Sequence, residues 1–441
     1  MALVAAACGG REQIAGAPSG EEVAESTPAT LGEGVVTEPV VLAVPDRVAD
    51  AKADPTVAGE AITAFGYDLF AATRAEEAIP NLTVSPVSVA VAYGMLEPGT
   101  NDQAQNEVRS VFRITDPEAY HRSMSALEVD LETRVPVPVP DPSGSNPDDP
   151  GELTVRLANA AYLQQGYPFR ADYLETIGTH YGPVLREVDF APDPDAVARA
   201  INGFVAENTE DLITDLIGEG VLTIDTVLVL VNALYLDATW VRPFDEELTA
   251  AAPFTTADGT EVTVDLMVSV SDSVARGDGW IGATKAYSGG LEAQFVLPDE
   301  GKFNDVADSL DEVFATFDKP PDGQRVPDQL AAPRFEIRAN LELDPALRSL
   351  GLEAVYQRGG LLGMANDGRL VLHKTIHETY VRLDESGTEA AAATAGTVRI
   401  TSAGGPKPLP VMLDRPFLYR IVDTHSGATL FIGQVTDPTA C

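Results

Sequence analysis

Few residues in this chain have a type and spacing that could carry out chemistry. The sequence contains no nucleophile elbow, no phosphate-binding glycine loop, no dinucleotide fingerprint and no His-Glu-x-x-His motif. His373 and His377 lie four residues apart in a segment typical of a β-strand, so both fall on one face. No general base or third ligand on that face completes a catalytic or metal site. We therefore expect packed histidines, no metal and no enzyme.

A segment near the C-terminus alternates in an unusual way. One face of residues 388–401 is small or apolar throughout, and both charges, Glu389 and Arg399, lie on the other face. Such a segment could enter a β-sheet with its uncharged face inward. Ala and Gly form strands poorly, so a helix or a flexible linker is an equal alternative on spacing alone. The uncharged face consists of Thr388, Ala390, Ala392, Thr394, Gly396, Val398 and Ile400.

Several longer elements must position this segment. Residues 226–236 are nearly all apolar and β-branched or leucine, which predicts a central strand buried on both faces. Residues 369–384 form a second long strand candidate, and residues 417–422 and 429–435 predict a C-terminal hairpin. Ser85 and Pro86 are typical of a helix N-cap and first helical position. Helices precede strands in general, which indicates an α+β domain.

The charge balance excludes several kinds of partner. The 441 residues include 68 acidic and 29 basic side chains, a net charge of −39, and no basic cluster. Such a surface repels nucleic acid and anionic lipid headgroups, and it keeps the chain soluble. We expect a monomer that binds no nucleic acid.

Three segments differ in composition from the rest of the chain: residues 1–8, 9–56 and 136–151. Residues 1–8 resemble the end of a bacterial lipoprotein signal in which Cys8 becomes acylated. The usual charged start of such a signal is missing, which indicates a truncated signal; an ordinary Ala-rich terminus is the alternative. Residues 9–56 have the composition of a disordered acidic linker, and residues 136–151 that of a surface insertion within the domain at 57–441. We expect an extracytoplasmic protein, either lipid-anchored or secreted.

Four ordered motifs resemble the serpin family, over roughly residues 57–440. Residues 385–394 look like the hinge of inhibitory serpins, and residues 411–421 fit the family's C-terminal signature. Residues 81–88 and 231–244 match two further blocks. This resemblance implies three β-sheets, about nine helices and an exposed reactive-centre loop, here 387–410.

The resemblance also implies a function. An inhibitory serpin is a suicide substrate: a serine-type protease attacks the loop and forms an acyl-enzyme, and the cleaved loop then inserts into the main sheet. Loop insertion into a sheet is a standard example of strand addition. A non-inhibitory serpin, acting as a carrier or chaperone, is the alternative. The absence of a basic helix predicts no heparin-like cofactor, and no other cofactor is implied.

By position, the resemblance assigns residues to three sites. The hinge comprises Gly387, Thr388, Glu389, Ala390, Ala391, Ala392, Ala393 and Thr394. The polar cluster where the sheet parts comprises Ser85, Ser88, Asn232 and His377. The place where the loop enters the sheet is marked by Trp240, Glu385 and Arg334.

The position of the scissile bond has two candidates in the loop. Counting from the hinge predicts Thr401–Ser402, while Arg399 is the alternative target of the protease. Residues 387–416 exceed the usual length of this region in the family by some four residues.

Overall fold

The computed structural model describes residues 2–7, 40–41, 47, 53–76, 80–136, 151–318, 328–388 and 411–440. Within these ranges the chain forms nine α-helices and three β-sheets, as the resemblance predicts. The helices are α1 (Thr56–Glu76), α2 (Pro86–Leu96), α3 (Asp102–Val111), α4 (Pro117–Thr133), α5 (Ala171–Tyr181), α6 (Pro194–Asn208), α7 (Phe303–Ala307), α8 (Leu310–Asp318) and α9 (Asp344–Ser349).

The largest sheet has eight strands and carries the region of interest. Its order is β13, β14, then β15 and β1 end to end between β14 and β6, then β6, β4, β5 and β2. Apart from the parallel pair β4 and β5, the pairings are antiparallel. The strands are β1 (Ala2–Ala7), β2 (Val40–Val41), β4 (Leu153–Gln164), β5 (Val184–Val188), β6 (Thr226–Thr239), β13 (Phe335–Glu342), β14 (Leu370–Leu383) and β15 (Gly387–Thr388).

Two smaller sheets complete the fold. The C-terminal hairpin forms the centre of the six-stranded sheet, and β12 pairs with β8 and β16 in the four-stranded one. The six-stranded sheet contains β3 (Leu82–Val84), β18 (Thr429–Val435), β17 (Phe417–Asp423), β11 (Leu291–Pro298), β10 (Trp280–Ala286) and β9 (Ser273–Gly277). The four-stranded sheet contains β16 (Val411–Met412), β12 (Gln329–Pro333), β8 (Glu261–Val270) and β7 (Ala250–Thr255).

Helix α2 lies at the centre of the molecule. All eleven of its residues are buried, and it packs against β6 on one side and β18 on the other. Its start follows from the local sequence: the Ser85 hydroxyl accepts a hydrogen bond from the Ser88 amide, and Pro86 occupies the first turn, where no amide donor is needed. The predicted helix start is confirmed.

The long strands are also confirmed. β6 is buried along its first eleven residues, as a strand covered on both faces must be. β14 runs from Leu370 to Leu383 within the predicted range, and β17 and β18 form the predicted hairpin.

The N-terminal region differs from the sequence prediction at several points. Helix α1 begins at Thr56, so residues 53–56 belong to the folded domain. Val40 and Val41 pair with the edge strand β5, and the Arg47 guanidinium contacts two glutamates of α4. The expected disordered linker therefore has ordered attachment points, because an open sheet edge and the carboxylates of α4, of which Glu128 is buried, offer it partners. Ala2–Ala7, expected as part of a signal segment, form a strand.

Candidate functional site: the hinge and the slot in the main sheet

Two neighbouring long strands of the main sheet, β6 and β14, are separated by a gap one strand wide. Among the described residues they do not pair with each other, since each pairs with β15 near one end and with β1 near the other. We call this gap the slot. β15 consists of the first two hinge residues, Gly387 and Thr388, so the structure places the start of the predicted hinge at one end of the slot, here called the upper end.

A tight turn connects β14 to the hinge. The carboxylate of Asp384 accepts hydrogen bonds from the amides of Ser386 and Gly387, at 2.9 and 3.2 Å, and the Asp384 amide donates to the carbonyl of Gly387 at 3.0 Å. Asp side chains favour such turns because they satisfy amides two or three residues ahead. The turn reverses the chain and directs β15 into the slot.

Gly387 is required by close backbone contact. A Cβ atom at this position would lie 2.0 Å from the carbonyl oxygen of Ala238 on β6. Thr388 follows with its side chain inward, and its hydroxyl lies 2.6 Å from the hydroxyl of Tyr287. Both side chains are buried. The inward orientation agrees with the face predicted from the alternation.

Trp240 closes the upper end of the slot. Its indole NH donates to the Asp384 carbonyl at 3.0 Å, and its amide donates to the Ser386 carbonyl at 2.8 Å. The ring is fully buried and stacks on Tyr287 with centroids 3.9 Å apart. Trp240 therefore contacts the hinge through both backbone and side chain.

Glu385 and Arg334 form the charged pair expected at this end. Arg334 donates from Nε and Nη2 to the two carboxylate oxygens, at 2.7 and 2.5 Å, and the Thr249 hydroxyl donates at 2.7 Å. Burial alone would raise the pKa of Glu385, but the hydrogen bonds from Arg334 and Thr249 outweigh it and hold the pKa below its ordinary value. The carboxylate is thus ionised and fixed directly before the hinge.

A buried lysine lies behind Trp240. Lys285 Nζ is 4.4 Å from the centroid of the Phe244 ring and 5.4 Å from that of Trp240, and it donates to the carbonyl of Arg242 and, at 2.9 Å, to the hydroxyl of Ser269. Burial lowers the pKa of Lys285 to about 7. No sequence motif indicated this residue, because an isolated lysine in a strand is usually exposed.

The structure brings three of the four predicted cluster residues together. The Ser85 amide donates to Nε2 of His377 at 2.9 Å, and the hydroxyls of Ser85 and Ser88 lie 3.1 Å apart. Burial lowers the pKa of His377 well below its ordinary value, so the ring is neutral. Nδ1 of this ring has no hydrogen-bond partner in the described part of the chain.

The fourth residue, Asn232, lies on the other side of the slot. Its amide donates to Oδ1 of Asn159 on β4 at 2.8 Å, and Asn159 donates in turn to Glu128 at 2.8 Å. Arg47 Nη2 lies 2.6 Å from the same glutamate. Burial raises the pKa of Glu128 to about 8, while the Arg47 charge opposes that rise. β1 lies between the strands that carry Asn232 and His377, so the predicted cluster is divided by the slot.

Several predicted residues lie outside the described ranges: Cys8, residues 389–394 of the hinge, Arg399 and the Thr401–Ser402 bond. Residues 137–150 of the expected surface insertion do so as well. Among the described residues no group of three or more His, Cys, Asp or Glu could hold a metal ion. No helix in those same ranges is both long and apolar enough to cross a bilayer.

Comparison with known proteins agrees with this architecture. The sequence profile of the family described as Serpin (serine protease inhibitor) matches residues 60–438. The leukocyte elastase inhibitor of Equus caballus is 29% identical over 395 residues, covering 85% of this chain and 98% of the inhibitor. The crystal structure of human kallistatin superimposes with a TM-score of 0.72 at 25% identity, covering 88% of this chain and all of kallistatin.

The chain belongs to the serpin family. That family also includes human thyroxine-binding globulin, whose structure matches with a TM-score of 0.73 at 24% identity over 88% of this chain and all of that one. Serpins are known as protease inhibitors rather than enzymes, yet some members do not inhibit proteases. Membership alone therefore leaves the mechanism of this protein open.

Proposed function

We propose that this protein is an inhibitory serpin that traps a serine-type protease as a covalent acyl-enzyme by inserting its reactive loop into the slot. The observation that carries the proposal is the hinge: Gly387 and Thr388 already pair with β6 and β14 as the first rung of an inserted strand. The later residues of the inward face are small or apolar. Each could therefore be buried in the sheet without the cost of desolvating a charge.

Incubation with a panel of serine proteases tests this function. The expected product is a complex of protease and serpin that survives boiling in detergent, together with one cleaved form of the loop. A protease whose active-site serine has been blocked is the matched control and should give no complex. Clean cleavage without any complex, by every protease of the panel, would contradict the proposal. Mass spectrometry of the cleaved form distinguishes Thr401–Ser402 from a bond after Arg399.

One observation favours the alternative of a non-inhibitory serpin. The lower part of the slot holds β1, and a loop cannot insert where another strand is already paired. A protein locked in this state would be cleaved as an ordinary substrate. Formation of a covalent complex with the protease distinguishes the two functions, because only the inhibitory mechanism produces it.

We also propose an extracytoplasmic location, with the chain anchored through an acylated Cys8 or secreted. The support is the apolar Ala-Ala-Ala-Cys sequence followed by a polar stretch. Fractionation of expressing cells and mass analysis of the N-terminal peptide test it. Recovery from the cytosol alone, with Cys8 unmodified, would contradict it.

A further inference from the structure

Strand β1 is paired on both sides within the slot. Ala2 lies opposite Val231 of β6 and Ile376 of β14; the pairing with β6 continues to Ala6 and the pairing with β14 to Ala7. Both pairings are antiparallel, so β1 runs in the same direction as the hinge strand β15. The N-terminal segment therefore lies in the sheet as an inserted strand would lie.

β1 occupies pairing positions on β6 and β14 that the reactive loop would need for insertion. We call each pair of facing residues on β6 and β14 a row. Thr388 pairs with Ala238 and Leu383, and seven rows further along these two strands are Val231 and Ile376. A loop continuing this pairing without a bulge would place residue 395 opposite both. Ala2 already occupies that row. The two segments cannot occupy it at once, since the facing edges of β6 and β14 can each pair with only one strand at a given position.

The side chains of β1 fit the slot on both faces. Leu3 is buried in the main core, on the face that Thr388 and Tyr287 share. Ala2 and Val4 point to the opposite face and are buried in the second apolar cluster, which includes Ile201 of α6. Burial of such side chains favours the paired state through the hydrophobic effect.

A cleft separates β1 from the hinge. Its walls come from both sides of the slot, with Thr388 at one end; Leu234 and Leu236 line it from β6, and Tyr380 and Arg382 line it from β14. These rows of β6 and β14 lie between the rows of β15 and those of β1. The cleft therefore continues the slot from the hinge in the direction of β1.

We propose that residues 2–7 are an intramolecular plug of the slot, which competes with the reactive loop for the rows between Thr226 and Val231 and must leave before the loop inserts fully. The consequence for protease trapping rests on the proposed function. Occupancy of the slot by residues 2–7 does not, because it concerns only which peptide strand pairs with β6 and β14.

The plug lies immediately before Cys8. Processing of the proposed lipoprotein signal in front of Cys8 would remove all of β1 and empty the lower slot. The segment cannot be buried in the sheet and embedded in a membrane at the same time. Removal or displacement of residues 2–7 therefore acts as an activating step.

Peptide binding tests the plug without any protease. The probe is a fluorescent peptide with the sequence of residues 388–402, added to the full chain and to a chain lacking residues 2–7. We expect the shortened chain to take up the peptide at least tenfold faster. Equal rates of uptake by the two chains would overturn the proposal.

Point variants keep the test independent of the deletion. Leu3→Asp places a carboxylate in the main core and should expel β1, so it should bind the peptide as the shortened chain does. Leu3→Met conserves volume and should behave as the parent. Hydrogen exchange of the parent should show protected amides over residues 3–6, and exchange at the rate of an unfolded peptide there would overturn the proposal.

Failure of the proposed function gives a different result. Suppose that no protease forms a complex with either chain, yet only the shortened chain binds the peptide. That result supports the plug and contradicts the proposed trapping of proteases. If both chains trap a protease equally well and bind the peptide equally fast, the result supports the proposed trapping of proteases and contradicts the plug.

Discussion

The hydroxyl of Thr388 lies 2.6 Å from the hydroxyl of Tyr287, and both side chains are buried at the upper end of the main sheet. This contact makes Thr388 the first residue of the loop region that is committed to the slot. Tyr287 in turn stacks on Trp240, whose indole holds the turn before the hinge. The first inward-facing side chain of the hinge is thus already part of the core.

Thr388→Arg should convert an inhibitor into a substrate. The guanidinium would have to lie beside Tyr287, where desolvation of an unpaired charge costs several kcal/mol. We expect a lower yield of covalent complex, more cleaved chain and a similar initial rate of cleavage, measured by gel densitometry with a protease that the parent traps. Because Thr388 is buried before cleavage, the melting temperature should fall as well.

Glu389→Arg is the matched control for Thr388→Arg. The alternation places this residue on the solvent face of an inserted strand, so trapping should stay close to that of the parent. Equal losses of complex in the two variants would show that the assignment of faces is wrong.

Glu385→Gln should destabilise the fold by about 1.5–3 kcal/mol at neutral pH, the usual range for hydrogen bonds to a charged group. The pKa of Glu385 is lowered in the folded state, so its stabilising effect is complete above the ordinary carboxyl pKa and is lost as the pH falls through the folded value. Urea unfolding of parent and variant should therefore differ at pH 7 and converge well below pH 4.5. A difference that stays constant with pH would contradict this account.

Lys285→Met should change the pH dependence of stability in the alkaline range, whereas Glu385→Gln changes it in the acidic range. Burial lowers the pKa of Lys285 to about 7, so the unfolded chain binds more protons between about pH 7 and the ordinary lysine value near 10.5. The stability of the parent relative to the variant should rise across that range, by on the order of a few kcal/mol, and stay flat below pH 7. Urea midpoints measured from pH 6 to 10 check this; parallel profiles would argue against a buried, titrating amine.

Cleavage of the loop near Thr401 should raise the melting temperature strongly in a chain lacking residues 2–7. Insertion adds ladder hydrogen bonds of about 1 kcal/mol each and buries the small inward face. In the full chain the rise should be smaller, because β1 occupies the lower rows. Calorimetry of intact and cleaved forms measures both, and no rise in either chain would favour a non-inhibitory serpin.

Local sequence patterns were sufficient to predict the main helices and strands around the site. The apolar run of β6, the cap at Ser85 and the C-terminal hairpin were found because burial on both faces, capping and tight turns leave signals within a few residues. The inward face of the hinge was predicted for the same reason, since strand faces alternate with a period of two. The pair Glu385 and Arg334 came from the family resemblance, and the structure joins them through two hydrogen bonds.

The sequence by itself determined the class of fold, the long strands and the inward orientation of Thr388. Only the tertiary structure decided that Ala2–Ala7 pair between β6 and β14, that Asn232 faces Asn159, and that Lys285 is buried behind Trp240. Strand pairing joins backbone groups hundreds of residues apart, and an Ala-rich segment suits a membrane signal and an inner strand equally well. Which partner such a segment finds depends on where the folded sheet leaves its amides and carbonyls open.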